Sequence, residues 1–534
     1  MNFNPGDLYG VLPALILASG ALLLLLTEVF LTAVKPALLG PAGGAVVSPA
    51  DAAAHALPAS AQGGPPSPAA QPDRRYQAFV AAAIAALGLF AALSQLGEPS
   101  QPLFSGAAVS DGFARAIAAV VCGTLLLSCL VAFSYLETLR ATRGEFYALA
   151  LFSAAGMCLL AQATDLIVIF VSLEVMSLAV YALCAWLRRG KRPAEAAFKY
   201  FILGSFASAI FLYGAALAFG ATGSTRIADV ASAVLRASGG ASTLLYAALA
   251  FLVVGFGFKV AAVPFHMWVP DVYDGAPAPV TGFMAAGVKA AGFATLVRIL
   301  VSGFGDPVAA TGPHGWAQLV AVLAVLTMLT GNLLAVPQRS VKRMLAYSSI
   351  AHAGYLLVAV AAMGHAGARA DAMEGLVFYL ASYAATVVGA FAVVAVIERK
   401  LALSGLGDDL SSWAGLSEKH PGLAAAMSLF MISLAGVPPT AGFMAKLTVF
   451  RSAIEADLVP LAIFGVLTSV AGLYYYLRVV VYVYMWPVAK PDAVQGGRFW
   501  SVGLALAGCA LLVLWMGVSP GSFAALIQTA ALGR

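Results

Sequence analysis

Residues 246–270 read YAALAFLVVGFGFKVAAVPFHMWVP, and Lys259 lies inside this otherwise apolar run. Pro264 follows five residues later and is expected to break a helix, because proline removes a backbone hydrogen bond and clashes with the preceding turn. A second lysine, Lys289, lies in the next apolar run. A charge at bilayer depth costs about 2.5–3.5 kcal/mol on insertion scales. Two such lysines beside a proline break indicate ion movement inside a membrane.

The rest of the chain has the composition of a polytopic membrane protein. Of its 534 residues, 61% are hydrophobic and only 10% are charged, whereas a soluble chain carries about 25% charged residues. The five cysteines all lie in apolar runs, and their spacing matches no iron–sulfur, haem or zinc motif. We therefore expect the lipid bilayer as the surroundings, no nucleic acid as a partner, and no cofactor or metal in this chain.

Fourteen apolar stretches are long enough to span a bilayer, which takes about 20 residues. They predict an all-α polytopic membrane protein. The division between the fourth and fifth spans depends only on the short polar segment 162–165. Residues 36–73, rich in Pro, Ala and Gly, are predicted to form a flexible cytoplasmic loop, and residues 403–420 a polar connection. The predicted spans are approximately 8–34, 76–96, 112–134, 145–163, 165–187, 197–221, 243–269, 277–302, 315–337, 341–363, 374–397, 421–452, 458–486 and 499–519.

The basic residues differ between the two sides of the predicted membrane protein. Seventeen lysine and arginine residues fall in loops after odd-numbered spans, and five fall on the other side. Cytoplasmic loops carry the excess of positive charge. The bias therefore predicts that both termini lie on the outer side of the membrane, in the periplasm if the host is bacterial.

The break at Pro264 has a counterpart at residues 434–446, LAGVPPTAGFMAK, where Pro438-Pro439 precedes Lys446. The two breaks lie five spans apart, and a unit with an odd number of spans reverses its orientation when it repeats. Inverted repeats with sites at broken helices are typical of transporters. The alternative is two ordinary proline kinks. The predicted units are 1–75 (first span and loop), 76–144 (spans two and three), 145–302 (first repeat), 315–486 (second repeat) and 499–534 (last span and C-terminus).

Four ionisable residues inside the predicted spans are candidates for proton transfer. Glu174, in span five, either locks two helices together or changes the pKa of a neighbouring lysine. Lys259, Lys289 and Lys446 each have two interpretations. Each is a proton carrier whose affinity depends on a nearby acid, or one partner of a fixed salt bridge.

Three further residues are candidates for a relay. His266 and His352 titrate near neutrality by default, and each is either a relay or a satisfied polar packing residue. Lys199, at the cytoplasmic end of span six, is either part of the path or extends its charge to the membrane surface. The hydroxyl residues near His352 either hold water and pass protons or join helices. They are Tyr347, Ser348, Ser349 and Tyr355.

Four long segments carry a family resemblance: KYFILGSFASAIFLYG from Lys199, FKVAAVPFHMWVPDVYDGAPAPVTGF from Phe258, RMLAYSSIAHAGY from Arg343 and GVPPTAGFMAK from Gly436. They resemble the N subunits of bacterial NADH–quinone oxidoreductase, respiratory complex I. These are antiporter-like subunits related to components of multisubunit sodium/proton antiporters. The resemblance extends from about residue 76 to 519. The segment 36–73 departs from it, since it is longer than the family's usual first loop.

The resemblance implies a fourteen-span fold with two inverted five-span repeats and no redox cofactor in this subunit. By the same motifs, Lys199 and His266 match polar residues of the family's central hydrophilic axis. The proton-transfer residues of spans five, seven, eight and twelve match Glu174, Lys259, Lys289 and Lys446.

We therefore expect a proton-translocating membrane subunit of NADH–quinone oxidoreductase, a translocase with no redox chemistry in this chain. NADH, FMN, the iron–sulfur clusters and quinone are expected in partner subunits. The expected partners are the other membrane and peripheral subunits, including sister antiporter-like subunits. The alternative is a subunit of a multisubunit cation/proton antiporter, which would use the same lysines without electron-transfer partners. A purely structural scaffold would leave the buried lysines unexplained.

Overall fold

The computed structural model describes residues 5–38, 75–187, 191–237, 243–404, 409–487 and 500–531. Within these ranges, thirteen helices are long and apolar enough to cross a membrane. The prediction of an all-α polytopic membrane protein is confirmed. The predicted flexible loop lies outside the described residues from residue 39 onward, and so do residues 405–408 of the predicted polar connection.

The helices and strands follow one another in a simple order. The first half contains α1 Pro5–Gly10, α2 Leu12–Leu38, α3 Arg75–Ser94, β1 Gln101–Leu103, β2 Ala108–Ser110, α4 Gly112–Thr138, α5 Gly144–Gln162, α6 Leu166–Cys184, α7 Lys191–Thr222, α8 Ile227–Arg236, α9 Thr243–Val260, α10 Val269–Gly275, α11 Ala278–Phe283, α12 Lys289–Val297 and α13 Pro307–Thr311. The second half contains α14 Trp316–Ala335, α15 Val341–Ala362, α16 Arg369–Ser404, α17 Leu416–Lys419, α18 Pro421–Ala435, α19 Ala441–Glu455, α20 Val459–Met485, α21 Trp500–Val518 and α22 Pro520–Ala531.

The predicted boundary between the fourth and fifth spans, which depended only on a short polar segment, is confirmed: one helix ends there and another begins. The helix α5 ends at Gln162 and α6 begins at Leu166. The Asp165 carboxylate accepts a hydrogen bond from the Ile167 N–H at 2.8 Å. Aspartate is favoured at this position because its side chain satisfies a backbone N–H that the first turn leaves free.

A short antiparallel hairpin of β1 and β2 leads into α4 and into a buried ion pair. Asp111 caps α4, and its two carboxylate oxygens accept hydrogen bonds from both terminal nitrogens of Arg298 at 2.9 and 3.0 Å. Arg298 also donates to the Ala161 carbonyl at 3.0 Å. Burial alone would raise the pKa of Asp111, but the charge and hydrogen bonds of Arg298, together with the hydrogen bond from the Ala114 N–H, outweigh it and hold that pKa below its ordinary value. The pair therefore joins the ends of three helical regions.

The predicted span 243–269 is interrupted, as the sequence predicts, but the helix α9 ends at Val260, four residues before Pro264. Ala261 has a φ of 66°, a left-handed conformation that an α-helix cannot continue. The free Val263 N–H donates to the Thr327 Oγ1 at 2.9 Å. A side chain of the second half of the chain thus satisfies the backbone of the first break.

The second break divides the predicted span 421–452 into α18 and α19, each of 15 residues. Gly436, directly after α18, has a φ of 82°. Neither helix is long enough alone to count as a span, so thirteen rather than fourteen single spanning helices are found among the described residues. Each break contains one cis X–Pro bond, Val263-Pro264 and Pro438-Pro439.

Gly436→Ala is expected to lower the thermal stability of the protein. The positive φ costs an L-residue about 1–2 kcal/mol, and a Cβ there would lie 2.8 Å from the Lys446 Cδ. Thermal unfolding in detergent checks this. The control is Gly422→Ala, in the first turn of α18, because no atom lies within 4 Å of a Cβ at that position. Equal melting temperatures for the two variants would contradict the prediction.

Candidate functional site

Lys259 lies in the last turn of α9 and is 2% exposed. Its Nζ donates to the Ser177 Oγ at 2.9 Å and to the Tyr181 hydroxyl at 3.1 Å. The rings of Tyr181 and Tyr200 have their centroids 5.4 and 5.6 Å from this Nζ, within the range of cation–π attraction. The direct partners of this buried ammonium are therefore hydroxyls and aromatic rings.

Glu174 lies on the same side of α6 as Ser177, because residues three positions apart in a helix face the same way. Its side chain is half-buried, and its Oε1 is buried without a hydrogen-bond partner among the described residues. Its neighbours Val171 and Val175 are exposed on the surface of α6. Glu174 thus lies at the edge of the chain, close enough to Lys259 for its charge to act on it.

Lys289 begins α12 directly after a π-helical segment, Met284–Val288. Single π-helical turns inside α-helices are frequent at functional sites. The Lys289 Nζ donates to the Ser349 carbonyl at 2.5 Å and to the Ser349 Oγ at 2.6 Å. One turn later, a Cβ at Gly292 would lie 3.7 Å from the Lys259 Cβ. The helices that carry the two lysines are therefore in direct contact.

His352 is the centre of a hydroxyl cluster between α15, α16 and α20. Its Nδ1 lies 2.7 Å from the Tyr379 hydroxyl, and its Nε2 lies 3.1 Å from the Tyr476 hydroxyl. The Tyr476 hydroxyl in turn lies 2.5 Å from the Ser348 Oγ. Either imidazole nitrogen can carry the proton, so the ring can exchange a proton with either tyrosine.

Lys446 lies in α19, after the second break. Its Nζ donates to the carbonyls of Leu434 and Ala435 at 3.0 and 2.8 Å, and to the Ser469 Oγ at 2.7 Å. The last carbonyls of a helix have no partner within that helix. The lysine therefore satisfies the backbone groups that the break leaves free at the end of α18.

A polar chain connects the surroundings of Lys446 with those of His352. The Tyr355 ring centroid lies 5.2 Å from the Lys446 Nζ, and the Tyr355 hydroxyl accepts a hydrogen bond from Asn332 at 3.0 Å. The Asn332 Oδ1 accepts one from the Tyr475 hydroxyl at 3.1 Å. The rings of Tyr475 and Tyr476 lie 4.3 Å apart. Together with the Ser348-Ser349 pair, this chain forms one buried polar zone from Lys289 to Lys446.

Lys199 and His266, two of the predicted relay residues, lie outside this polar zone. The Lys199 Nζ forms ion pairs with Asp271 at 2.8 Å and Glu195 at 2.6 Å, and its side chain is 38% exposed. His266 lies within the first break and is half-buried, and its Nδ1 has no hydrogen-bond partner in the described part of the chain. Both residues thus lie nearer the edge of the chain than the three buried lysines.

Several residues of the polar zone, and the residues Ser177 and Tyr181 that bind Lys259, were not predicted from the sequence. A signal existed for two of them, since Ser177 and Tyr181 follow Glu174 by three and seven positions, on one side of a helix. The others belong to helices far away in the sequence, and only the tertiary structure brings them into the polar zone. They are Asn332, Tyr379, Ser469, Tyr475 and Tyr476.

Comparison with known proteins gives concordant matches. The family described as NADH:quinone oxidoreductase/Mrp antiporter, TM, matches residues 163–472. The NADH-quinone oxidoreductase subunit N of Myxococcus xanthus is 44% identical, over 99% of this chain and 98% of the relative. Subunit N 1 of Sorangium cellulosum is 48% identical, over 77% of this chain and 81% of the relative.

Solved structures with the same fold include both complex I and antiporter chains. A chain of respiratory complex I from Thermus thermophilus with bound Aureothin is 36% identical with a TM-score of 0.69, over 86% of this chain and 95% of that chain. A chain of the Mrp complex from Dietzia sp. DQ12-45-1b has a TM-score of 0.74 at 23% identity, over 86% and 92%, and shares the fold. Because the full-length relatives are N subunits, this chain belongs to the family of NADH-quinone oxidoreductase N subunits.

Proposed function

We propose that this chain is a proton-translocating membrane subunit of an NADH–quinone oxidoreductase in a bacterial inner membrane. Electron transfer from NADH to quinone takes place in partner subunits, with their flavin and iron–sulfur clusters. The buried polar zone from Lys289 to Lys446 carries this proposal. A membrane scaffold has no use for buried ammonium groups, because each charge at bilayer depth costs free energy.

Protons pass from the cytoplasmic side through Lys259 and Lys289 towards Lys446 and the outer face. Glu174 acts on the charge of Lys259 through space, and His352 with its tyrosine partners relays between Lys289 and Lys446. Water completes the path where side chains do not touch. The charge bias of the loops supports an outer-side position for both termini.

Two inverted repeats of five spans support the same function. The helices α6 and α15 begin at Leu166 and Val341, which are 175 positions apart. The residues with positive φ at the breaks, Ala261 and Gly436, are also 175 positions apart. Transporters place their sites where the broken helices of two such repeats meet.

When the two repeats are aligned with this offset of 175 positions, the two broken helices do not carry their lysines at equivalent positions. Lys259 precedes Ala261 at the first break, whereas Lys446 follows Gly436 at the second break. Ser349, which binds Lys289, takes the position that Glu174 has in the first repeat. The repeats are therefore similar in backbone but different in charge, as expected for a path that passes protons in one direction.

The identity of the partners distinguishes this function from that of a stand-alone cation/proton antiporter. We expect the protein to co-purify with flavin and iron–sulfur subunits and to pump protons when NADH is oxidised. Purification from its native membrane, with flavin and iron spectra and a proton-pumping assay in vesicles, checks this. Recovery with antiporter subunits alone, and sodium-driven proton exchange, would favour the alternative.

Glu174→Gln is expected to leave the complex assembled but to slow proton pumping about tenfold or more, because the loss of a nearby opposite charge changes the proton affinity of Lys259, by about tenfold for each pKa unit. The measurement is NADH-driven acidification of vesicles, normalised to assembled complex on a native gel. Glu455→Gln is the matched control, since Glu455 pairs with its helix neighbour Arg451 at 2.7 Å in an exposed setting. Equal pumping by the Glu174 and Glu455 variants would contradict the assigned role.

A further inference from the structure

The segment after the first break is held by the start of α15. The Ser340 Oγ donates to Asp274 at 2.8 Å, and the Arg343 Nη1 donates to the Asp271 Oδ1 at 2.8 Å. The Lys342 Nζ donates to the Ala276 carbonyl at 2.7 Å. The side chains of Ser340, Lys342 and Arg343 thus all form hydrogen bonds with the short segment 271–276. The same helix, α15, carries the acceptor of Lys289 and the histidine of the polar zone.

Asp271 is bound from both halves of the chain. Its Oδ1 accepts from Arg343 of α15, and its Oδ2 accepts from the Lys199 Nζ of α7 at 2.8 Å. Burial alone would raise the pKa of Asp271, but the hydrogen bonds from Lys199 and Arg343 outweigh it, so that pKa lies below its ordinary value. The carboxylate is therefore charged at neutral pH and shared by two cations.

We propose that Asp271 is a positioning residue that couples α7, whose Tyr200 ring contacts Lys259, to the segment after the first break and to α15, which binds Lys289. This inference rests on the proposed function and adds a mechanical link to it. Asp271 follows Ala261 by ten positions, as Lys446 follows Gly436. The first repeat therefore has a carboxylate at the position where the second has a buried lysine.

A second ion pair, between Lys342 and Glu398, also holds the segment after the first break. It allows a coupling role of Asp271 to be distinguished from a role in anchoring this segment. The Lys342 Nζ contacts the Glu398 carboxylate at 3.0 Å, and the other Glu398 oxygen accepts from the Ala278 N–H at 3.2 Å. The Lys342 side chain is 5% exposed, whereas those of Lys199, Asp271 and Arg343 are each about one-third exposed. The buried pair holds the segment to α15 and α16 without Asp271. Loss of Asp271 therefore removes the junction with α7 while the segment stays anchored.

The test uses the assembled complex in vesicles with five variants: Asp271→Asn, Asp271→Glu, Lys199→Met, Arg343→Met and the double variant of Lys199 and Arg343. Asp271→Asn is expected to lower NADH-driven proton pumping by about twofold or more, the size seen for residues that couple sites. NADH oxidation by an artificial acceptor that bypasses quinone stays unchanged. Asp271→Glu restores pumping. The double variant of Lys199 and Arg343 is expected to lose no more proton pumping than Asp271→Asn, because each variant breaks the same set of ion pairs around Asp271.

The matched control is Arg451→Met, which breaks the exposed ion pair with Glu455 and is expected to pump normally. Wild-type pumping by Asp271→Asn, or additive losses in the double variant, would overturn the proposal. Failure of Asp271→Asn to assemble would identify a structural anchor and would overturn it as well. If Lys259→Met also pumped normally, the proposed function itself would be wrong. If only Lys259→Met failed to pump, the coupling role alone would be wrong.

Discussion

Lys259→Met is expected to leave the complex assembled and to slow its proton pumping by about 100-fold, within the range of 10²–10⁴ for a lost proton-transfer group. Methionine keeps the length and the apolar stem of lysine, so it still fills the space between Ser177, Tyr181 and the aromatic rings. It has no ammonium and cannot carry a proton. NADH oxidation by an acceptor that bypasses quinone is expected to stay at the wild-type rate.

The assay compares acidification of vesicles with NADH oxidation on the same preparation. Lys191→Met, at the exposed start of α7, is the control for loss of a positive charge alone. The hydroxyl partners of Lys259 are neutral. Replacing Lys259 therefore leaves no charged hydrogen-bond partner behind in the protein interior. A variant that assembles and still pumps at the wild-type rate would show that protons do not pass through Lys259.

Arg298→Met is expected to have the largest effect on stability. Breaking a buried ion pair by removing one partner costs about 3–5 kcal/mol. The Asp111 side chain is 24% exposed, which lowers the expected loss to about 2–3 kcal/mol. The Ala161 carbonyl also loses its hydrogen bond from Arg298. Thermal unfolding in detergent measures the loss. The double variant with Asp111→Asn should be less destabilised than Arg298→Met, because no charge is then left alone.

The contribution of this pair also has a defined pH dependence. The folded protein holds the pKa of Asp111 below its ordinary value, despite burial, through the charge of Arg298. A group with a lowered folded pKa contributes stability above its unfolded pKa of about 3.9 and loses it as the pH falls. We therefore expect the stability difference between wild type and Arg298→Met to be constant from pH 6 to 8 and to shrink in acid. A difference that grew in acid would contradict the assignment.

The spans and both breaks could be predicted from the sequence, because long apolar runs and prolines act locally. The buried lysines could be predicted for the same reason, since a charge in an apolar run stands out. The helical extent of span seven could not be predicted. It depends on the left-handed backbone of Ala261, and alanine gives no local sign of that conformation.

The side chains that distant helices supply to Lys446 and His352 could not be predicted, because no local pattern links them to these residues. Ser469 reaches Lys446 from α20, and Tyr379 and Tyr476 reach His352 from α16 and α20. A tyrosine in an apolar run is as typical of packing as of a relay. The sequence also gives no sign that Asp271 binds Lys199 and Arg343, each 72 positions away.

The hydrogen bond between Val263 and Thr327 has a consequence for biosynthesis. The donor and acceptor are 64 positions apart, and chains are synthesised at about 5–20 residues per second. Thr327 is therefore synthesised about 3–13 seconds after Val263, and until then the Val263 N–H lacks this acceptor. An unsatisfied N–H in the bilayer core costs several kcal/mol. The nascent first half is thus incomplete as a folding unit, because a chain truncated before Thr327 lacks the side chain that accepts the hydrogen bond from the Val263 N–H.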